Sequence, residues 1–170
     1  MSRFFSEALG GHDRSGFSSG HERIDRYFQE VVTQDVKRRY AGCFVLVERD
    51  SGQVAGFYTL SACSVRLADV PEALARKLPR YPSVPAVLIG WMGRDQRFRG
   101  QRLGELLLAD ALTRVVRSPV GAHALCADAI DDAAAAFYVR HQFTPLPSRP
   151  GCFFLPVKTA QQLFNSDEAP

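Results

Sequence analysis

Residues Arg94 to Gly104, RDQRFRGQRLG, constrain the fold of this chain more than any other stretch. They separate an apolar run, Val84 to Met92, from an amphipathic segment, Leu103 to Val116. A strand that ends in a glycine-containing turn and feeds directly into a helix presents backbone N–H groups at the positive end of the helix dipole, which is an anion site. The turn holds Arg94, Arg97, Arg99 and Arg102 against one acid, Asp95. A phosphorylated ligand, most simply the pyrophosphate of a nucleotide-like cofactor, fits that composition. A solvated basic loop fits it as well, and the turn alone does not decide between them.

The flanking segments set the architecture. Ser19 to Gln34 has helical spacing, with Ile24, Tyr27, Phe28, Val31 and Val32 on one face and Ser19 and Glu22 placed as a capping box. Asp35 to Tyr40 continues it as a basic turn. Gly42 to Glu48 and Val54 to Ser64 read as a hairpin joined by RDSGQ, and Ala68 to Leu78 as a short helix bounded by Pro71 and Pro79. Val84 to Met92 is the most hydrophobic strand and is expected at the centre of the sheet. Gly104 to Val116 is helical, Ala122 to Ala127 a strand, Asp131 to His141 an alanine-rich helix, and Thr144 to Leu155 a closing strand pair. Residues 1–16 hold a short first strand or an arm, and the stretch from Thr159 is a weak helix and tail. The order predicts an α/β fold: a mixed, mostly antiparallel central sheet with helices on both faces.

At 170 residues the chain fits one domain with a substantial core. No apolar stretch is long enough for a signal peptide or a bilayer span, which places the protein in the cytoplasm. Cys43, Cys63, Cys126 and Cys152 occur singly in strand-like segments, without metal-ligand spacing, and read as buried free thiols; no metal site is expected. The net charge of +3 does not by itself imply a nucleic-acid partner.

The strand VLIGWM, the turn RDQRFRGQRLG, the helix GELLLADAL and the later AAAAFYVRHQF together resemble the GNAT superfamily of acetyl-CoA-dependent N-acetyltransferases. That turn pattern is Arg or Gln, two residues, Gly, one residue, then Gly or Ala. Arg99, Gly100, Gln101, Arg102, Leu103 and Gly104 match it, except that Arg102 stands where glycine is usual. A side chain there limits φ and the approach of the backbone to a pyrophosphate. GFSSGHERIDRYFQE, QVAGFYTLSACSVRL, VPAVLIG and AFYVRHQF are further similar in order and spacing to the GNAT toxins of bacterial toxin-antitoxin pairs.

The resemblance implies a GNAT fold over 1–170 as a single domain, acetyl-CoA as cofactor, and a cofactor site formed by Met92, Gly93, Arg94, Arg99, Gly100, Gln101, Arg102, Leu103 and Gly104. Gly90 and Gly93 would let the pantetheine arm approach the strand, and Tyr138 would be the general acid toward the departing thiolate. From the residues alone, Tyr138 is equally a core aromatic, and His141 is a rival acid or a helix cap. No general base stands out; Glu105 suits the helix start. Ser61, Ala62 and Cys63 are candidates for the acceptor pocket. The toxin resemblance implies an aminoacyl-tRNA acceptor, a ribbon-helix-helix antitoxin and a homodimer. Arg38, Arg39, Arg76, Lys77, Arg80 and Arg97 are the candidate tRNA contacts. Two alternatives stand beside it: an enzyme acetylating a small-molecule or protein amine, and a non-catalytic component of a DNA-binding toxin-antitoxin complex.

Overall fold

The computed structural model describes residues 1–167; the last three residues of the expected tail, 168–170, lie outside the described residues. In chain order the strands are β1 (Phe4–Ala8), β2 (Gly42–Glu48), β3 (Val54–Arg66), β4 (Ser83–Arg94), β5 (Ala124–Asp128), β6 (Thr144–Pro145) and β7 (Cys152–Pro156). The helices are α1 (Glu22–Arg26), α2 (Val32–Lys37), α3 (Glu72–Ala75), α4 (Leu103–Arg117), α5 (Asp132–Arg140) and α6 (Val157–Asp167). Hydrogen bonding orders the strands β1-β2-β3-β4-β5-β7-β6, so the most hydrophobic strand holds the central place. The backbone gathers into two compact units, one of Met1–Ser61 with Gly90–Ala111, the other of Ala62–Ile89 with the chain from Leu112 onward.

In the first unit, β1 pairs antiparallel with β2 and β2 with β3, with a register shift between Leu46 and Val47. Of the two forms expected for residues 1–16, the short first strand is the one formed. The core is aromatic: Phe28 stacks on Phe57 at 4.0 Å, and Phe17 meets both rings edge-on at 4.8 and 5.6 Å. Gly93 makes this packing possible. A Cβ there would lie 2.7 Å from Ile24 Cγ2 and 3.0 Å from the Phe57 ring. Its missing side chain thus serves the seating of α1 on β4. Behind the sheet, the half-buried Ser6 and the fully buried Tyr58 both donate to Asp110 of α4 at 2.5 Å.

The first helix differs from its expected form. It begins at Glu22, and Ser19 does not form the capping box; instead its amide and hydroxyl bond Asp25 Oδ1 at 2.8 and 2.7 Å. Between α1 and α2 the chain makes a turn of π-helix, Tyr27–Val31, which sequence periodicity does not reveal. Tyr27 from that turn stacks on Trp91 at 4.2 Å and 6° and donates to Asp35 at 2.8 Å.

In the second unit, β4 pairs parallel with β5 (Leu88 opposite Cys126), and β7 pairs antiparallel with both β5 and β6. The expected helix over Ala68 to Leu78 is reduced to a 3₁₀ turn, Leu67–Asp69, and the single turn of α3. Val65, Val84, Phe154 and Leu146 pack here with Cys126 and Cys152. All four cysteines are free; three are buried and Cys63 is half-buried.

Gly93→Ala is expected to lower stability by about 1–3 kcal/mol, because Ile24 and the Phe57 ring must give way to the added methyl. Urea unfolding checks this, with Gly121→Ala, where a Cβ meets nothing within 4 Å, as the tolerated control.

Candidate active site

The end of β4 carries most of the expected cofactor residues. Met92, Gly93 and Arg94 complete the strand, and a 3₁₀ turn over Gln96–Phe98 follows. Arg99, Gly100, Gln101 and Arg102 then link it to α4, whose first residues are Leu103 and Gly104. The contiguous stretch from Gly90 to Ala111 lies in the first unit, so these positions share one frame. Arg94, Arg99, Gly100 and Arg102 are exposed, Gln101 is half-buried and Leu103 buried. Gly100 has φ 78° with open space where a Cβ would stand, so a ligand's oxygens meet backbone there without a side chain between. Leu106 N–H donates to the Arg102 carbonyl at 3.2 Å, the first bond of α4. The helix amides before it point toward the turn. Exposed cations, a positive-φ glycine and a helix start fit a pyrophosphate.

Arg102 adopts φ 55°, the left-handed conformation that the usual glycine takes at no steric cost. The departure from the turn pattern is therefore accommodated by strain, at about 1 kcal/mol.

Asp95 organises the foot of the turn. It is 1% exposed, and each of its oxygens accepts two hydrogen bonds. Oδ1 takes the Arg97 amide at 2.8 Å and Arg97 Nε at 2.9 Å; Oδ2 takes Arg97 Nη2 at 2.9 Å and the Ser18 amide at 3.1 Å. Burial works against its charge, but the Arg97 and Ser18 bonds outweigh it and hold the carboxyl below the ordinary carboxylate range. Sequence reasoning registered Asp95 only as the single acid among the arginines. The available signal was an Asp two residues before an Arg at the start of a short helical turn, the spacing of a cap. Arg97, a candidate tRNA contact, is committed to this ion pair while 43% of its side chain stays exposed. Arg3, just before β1, donates to Gln101 Oε1 at 2.7 Å and pairs with Glu48.

The remaining candidates fall as follows. Arg38 and Arg39 end α2 in the first unit, exposed, with Arg39 at φ 61°. Arg76, Lys77 and Arg80 are exposed in the second unit, where Arg76 pairs with Glu72 at 2.9 Å. Ser61 bonds the Tyr40 carbonyl at 2.8 Å, Ala62 is exposed, and Cys63 packs against the second unit's core. Cys126 and Cys152 share one core cluster with Cys63 packed against it, a grouping that single cysteines in separate strands do not announce. Gly90 is half-buried, with Thr59 Oγ1 at 3.3 Å from the place of a Cβ.

Tyr138 sits on α5 in the second unit, 4% exposed, among Phe143 (5.2 Å), Phe137 (5.4 Å) and Phe153 (6.1 Å). Burial, and secondarily the charge of Asp128, pushes its phenol up from its ordinary value, so it holds its proton throughout the neutral range. Asp131 caps α5 by accepting from Ala134 N–H at 2.8 Å. His141 Nδ1 lies 2.7 Å from the Phe137 carbonyl, which gives this ring the capping role.

A cationic, glycine-containing turn that opens a helix at the end of a central strand suits an acyltransferase that handles a phosphorylated acyl carrier. The chain belongs to the acetyltransferase (GNAT) family, whose pattern matches residues 12–143. It is 35% identical, over 89% of its length and 90% of the relative's, to the tRNA-acetylating toxin of Mycobacterium tuberculosis (strain ATCC 25618 / H37Rv). It is 34% identical to the probable toxin TacT of Sinorhizobium fredii (strain NBRC 101917 / NGR234), over 89% of both chains. The solved structure of AtaT complexed with acetyl-methionyl-tRNAfMet superposes with a TM-score of 0.85 at 26% identity, covering 95% of this chain and 99% of that one. Among the described residues no helix is long and apolar enough to cross a membrane.

Two outcomes follow from the turn. Arg102→Gly relieves the left-handed strain and is expected to raise stability by up to about 1 kcal/mol, while Arg102→Val lowers it, both read from thermal midpoints. Because the Asp95 carboxyl is held low in the folded state, its stabilisation is present in full above its unfolded value of about 3.9 and is lost as pH falls through the lower folded value. The stability gap between wild type and Asp95→Asn, measured in denaturant at a series of pH values, should shrink as pH drops below about 4.

Proposed function

We propose that this chain is a toxin that acetylates the α-amino group of aminoacyl-tRNA, using acetyl-CoA as donor, and so blocks translation. Its likeness to a tRNA-acetylating toxin, at 35% identity over 89% of the chain, is the observation that carries the reading. Bound acetyl-CoA supplies an acetyl thioester. The amides and guanidinium groups of Arg94 and Arg99 to Gly104 would hold its pyrophosphate, and the half-buried backbone at Gly90 and Met92 would orient the arm. With acetyl-CoA bound, the amine would attack the thioester carbonyl, and Tyr138 Oη, protonated at neutral pH, would donate a hydrogen bond to the sulfur that leaves as the thiolate. The α-amine of an aminoacyl ester is weakly basic and enters as the free base, so no dedicated base is needed; its proton leaves to solvent.

Exposed Arg38, Arg39, Arg76, Lys77 and Arg80, with the exposed part of Arg97, supply phosphate contacts for the tRNA. The protein works as one catalytic domain in a cytoplasmic homodimer, restrained by a ribbon-helix-helix antitoxin. A housekeeping enzyme of the same fold that acetylates small amines or proteins is the competing reading.

Incubating the protein with radiolabelled acetyl-CoA and charged tRNA decides between them: label is expected in the aminoacyl ester, and label found only in polyamines or peptides sinks the toxin reading. Tyr138→Phe should lower kcat by about 10²-fold or more with little change in KM. Full activity and toxicity in that variant would remove Tyr138 from the mechanism. Affinity for tRNA should fall steeply with salt, and Arg38→Ala with Arg39→Ala should flatten that slope by about 1–2.

A further inference from the structure

The buried carboxylate of Asp95 does more than cap a short turn. Its Oδ2 accepts the Ser18 amide, while the next residue, Gln96, donates its own amide to the Ser18 carbonyl at 2.9 Å. Gly20, at φ 84°, leaves room for the Gln96 side-chain amide in a place that any Cβ would fill. Ser19 in turn holds Asp25 of α1. The segment Phe17–Gly20 is thus stitched on one side to the foot of the turn and on the other to α1. From β3, Ala55 O accepts the Asp95 amide at 2.7 Å.

The turn depends on that foot. Phe98 is the last buried residue before Leu103, and it is fixed by an edge-on contact with Phe4 at 5.8 Å. Between Phe98 and α4 run exposed or half-buried residues, two of them at positive φ, Gly100 at 78° and Arg102 at 55°. Apart from the Arg3 bond to Gln101, such a stretch takes its position from its two ends, α4 and the Asp95 foot. We infer that Asp95 is a positioning residue for the cofactor: clamped between Arg97 and Ser18, it sets where the turn's amides stand and therefore how tightly they hold a pyrophosphate it never touches. This rests on the reading of the turn as the pyrophosphate site.

Four donors share two oxygens, which makes the clamp sensitive to a change that leaves size untouched. In Asp95→Asn one oxygen becomes an NH2 group, so whichever way the amide turns, it faces two donors with a third. Arg97→Lys keeps the charge and loses the two-pronged bond.

The test compares acetyl-CoA with S-acetylpantetheine, which carries the same thioester without the pyrophosphate, in steady-state acetylation by the full chain. Asp95→Asn is expected to raise KM for acetyl-CoA about tenfold, with kcat and the KM for S-acetylpantetheine each changed less than about twofold. Arg97→Lys, assayed at saturating acceptor because Arg97 is also a candidate tRNA contact, should raise the KM for acetyl-CoA about threefold without raising that for S-acetylpantetheine, and serves where the Asn variant fails to fold. A variant that raises both KM values together acts through general loosening of the fold, and one that raises neither leaves the turn in place; either result overturns the inference. If the wild type itself does not distinguish the two donors, the pyrophosphate reading of the turn falls, and the inference with it.

Discussion

The parallel ladder between β4 and β5 is the constraint on which the rest depends. Antiparallel neighbours can be joined by a tight turn, but parallel ones need a crossover, and here α4 supplies it between Arg94 and Ala124. Once a helix must start just past the end of a central strand, its first amides necessarily point to the space beyond that strand. The open helix start that the proposed phosphate site uses is thus a consequence of strand direction, and the arginines and Gly100 suit it to an anion. β4 lies between β3 and β5 and buries Val84, Ala86, Ile89 and Gly93, while Val87, Leu88 and Gly90 to Met92 stay half-buried.

Residues at the strand end meet several demands at once. Gly93 gives up its side chain so that Ile24 and the Phe57 ring can close over the backbone. Asp95, two residues on, is buried as a charge, which is tolerable only because four donors converge on it. Arg97 loses conformational freedom to that pairing, and most of the turn's mobile positive charge rests on Arg94, Arg99 and Arg102. The stability of the foot and the exposure of the loop beyond it are complementary: an anion cradle needs open amides, and open amides need an anchored end.

Much of this was legible in the sequence, for identifiable reasons. Gly42 to Glu48 and the α5 start at Asp131 were readable because period and cap lie within a few residues of one another. The start of α1 was misplaced because Ser19 has the composition of a cap, but its hydroxyl is engaged by Asp25, and no local pattern ranks those two partners. The π-turn at Tyr27–Val31 preserves the apolar face while adding a residue to it, so it hides inside the helical period. The Asp95 clamp was invisible because its second partner, Ser18, lies far away in the chain. The cysteines looked solitary for the same reason: strand pairing, rather than spacing, brings Cys63, Cys126 and Cys152 together.

The burial of Tyr138 sharpens its chemical role. A thiol of ordinary pKa near 8.5 is a stronger acid than a phenol near 10, and the surroundings of Tyr138 widen that gap by penalising the phenolate. Outright transfer of the proton to a free thiolate therefore runs uphill, by at least about 2 kcal/mol at 1.36 kcal/mol per pKa unit. A hydrogen bond from the neutral phenol to sulfur carries no such penalty and strengthens as charge gathers there while the C–S bond breaks. In the role proposed for Tyr138, the same apolar rings that disfavour its phenolate would keep water from competing for a sulfur held there. Tyr138 fits a role as a preorganised donor to the leaving group, with the thiolate's final proton coming from solvent.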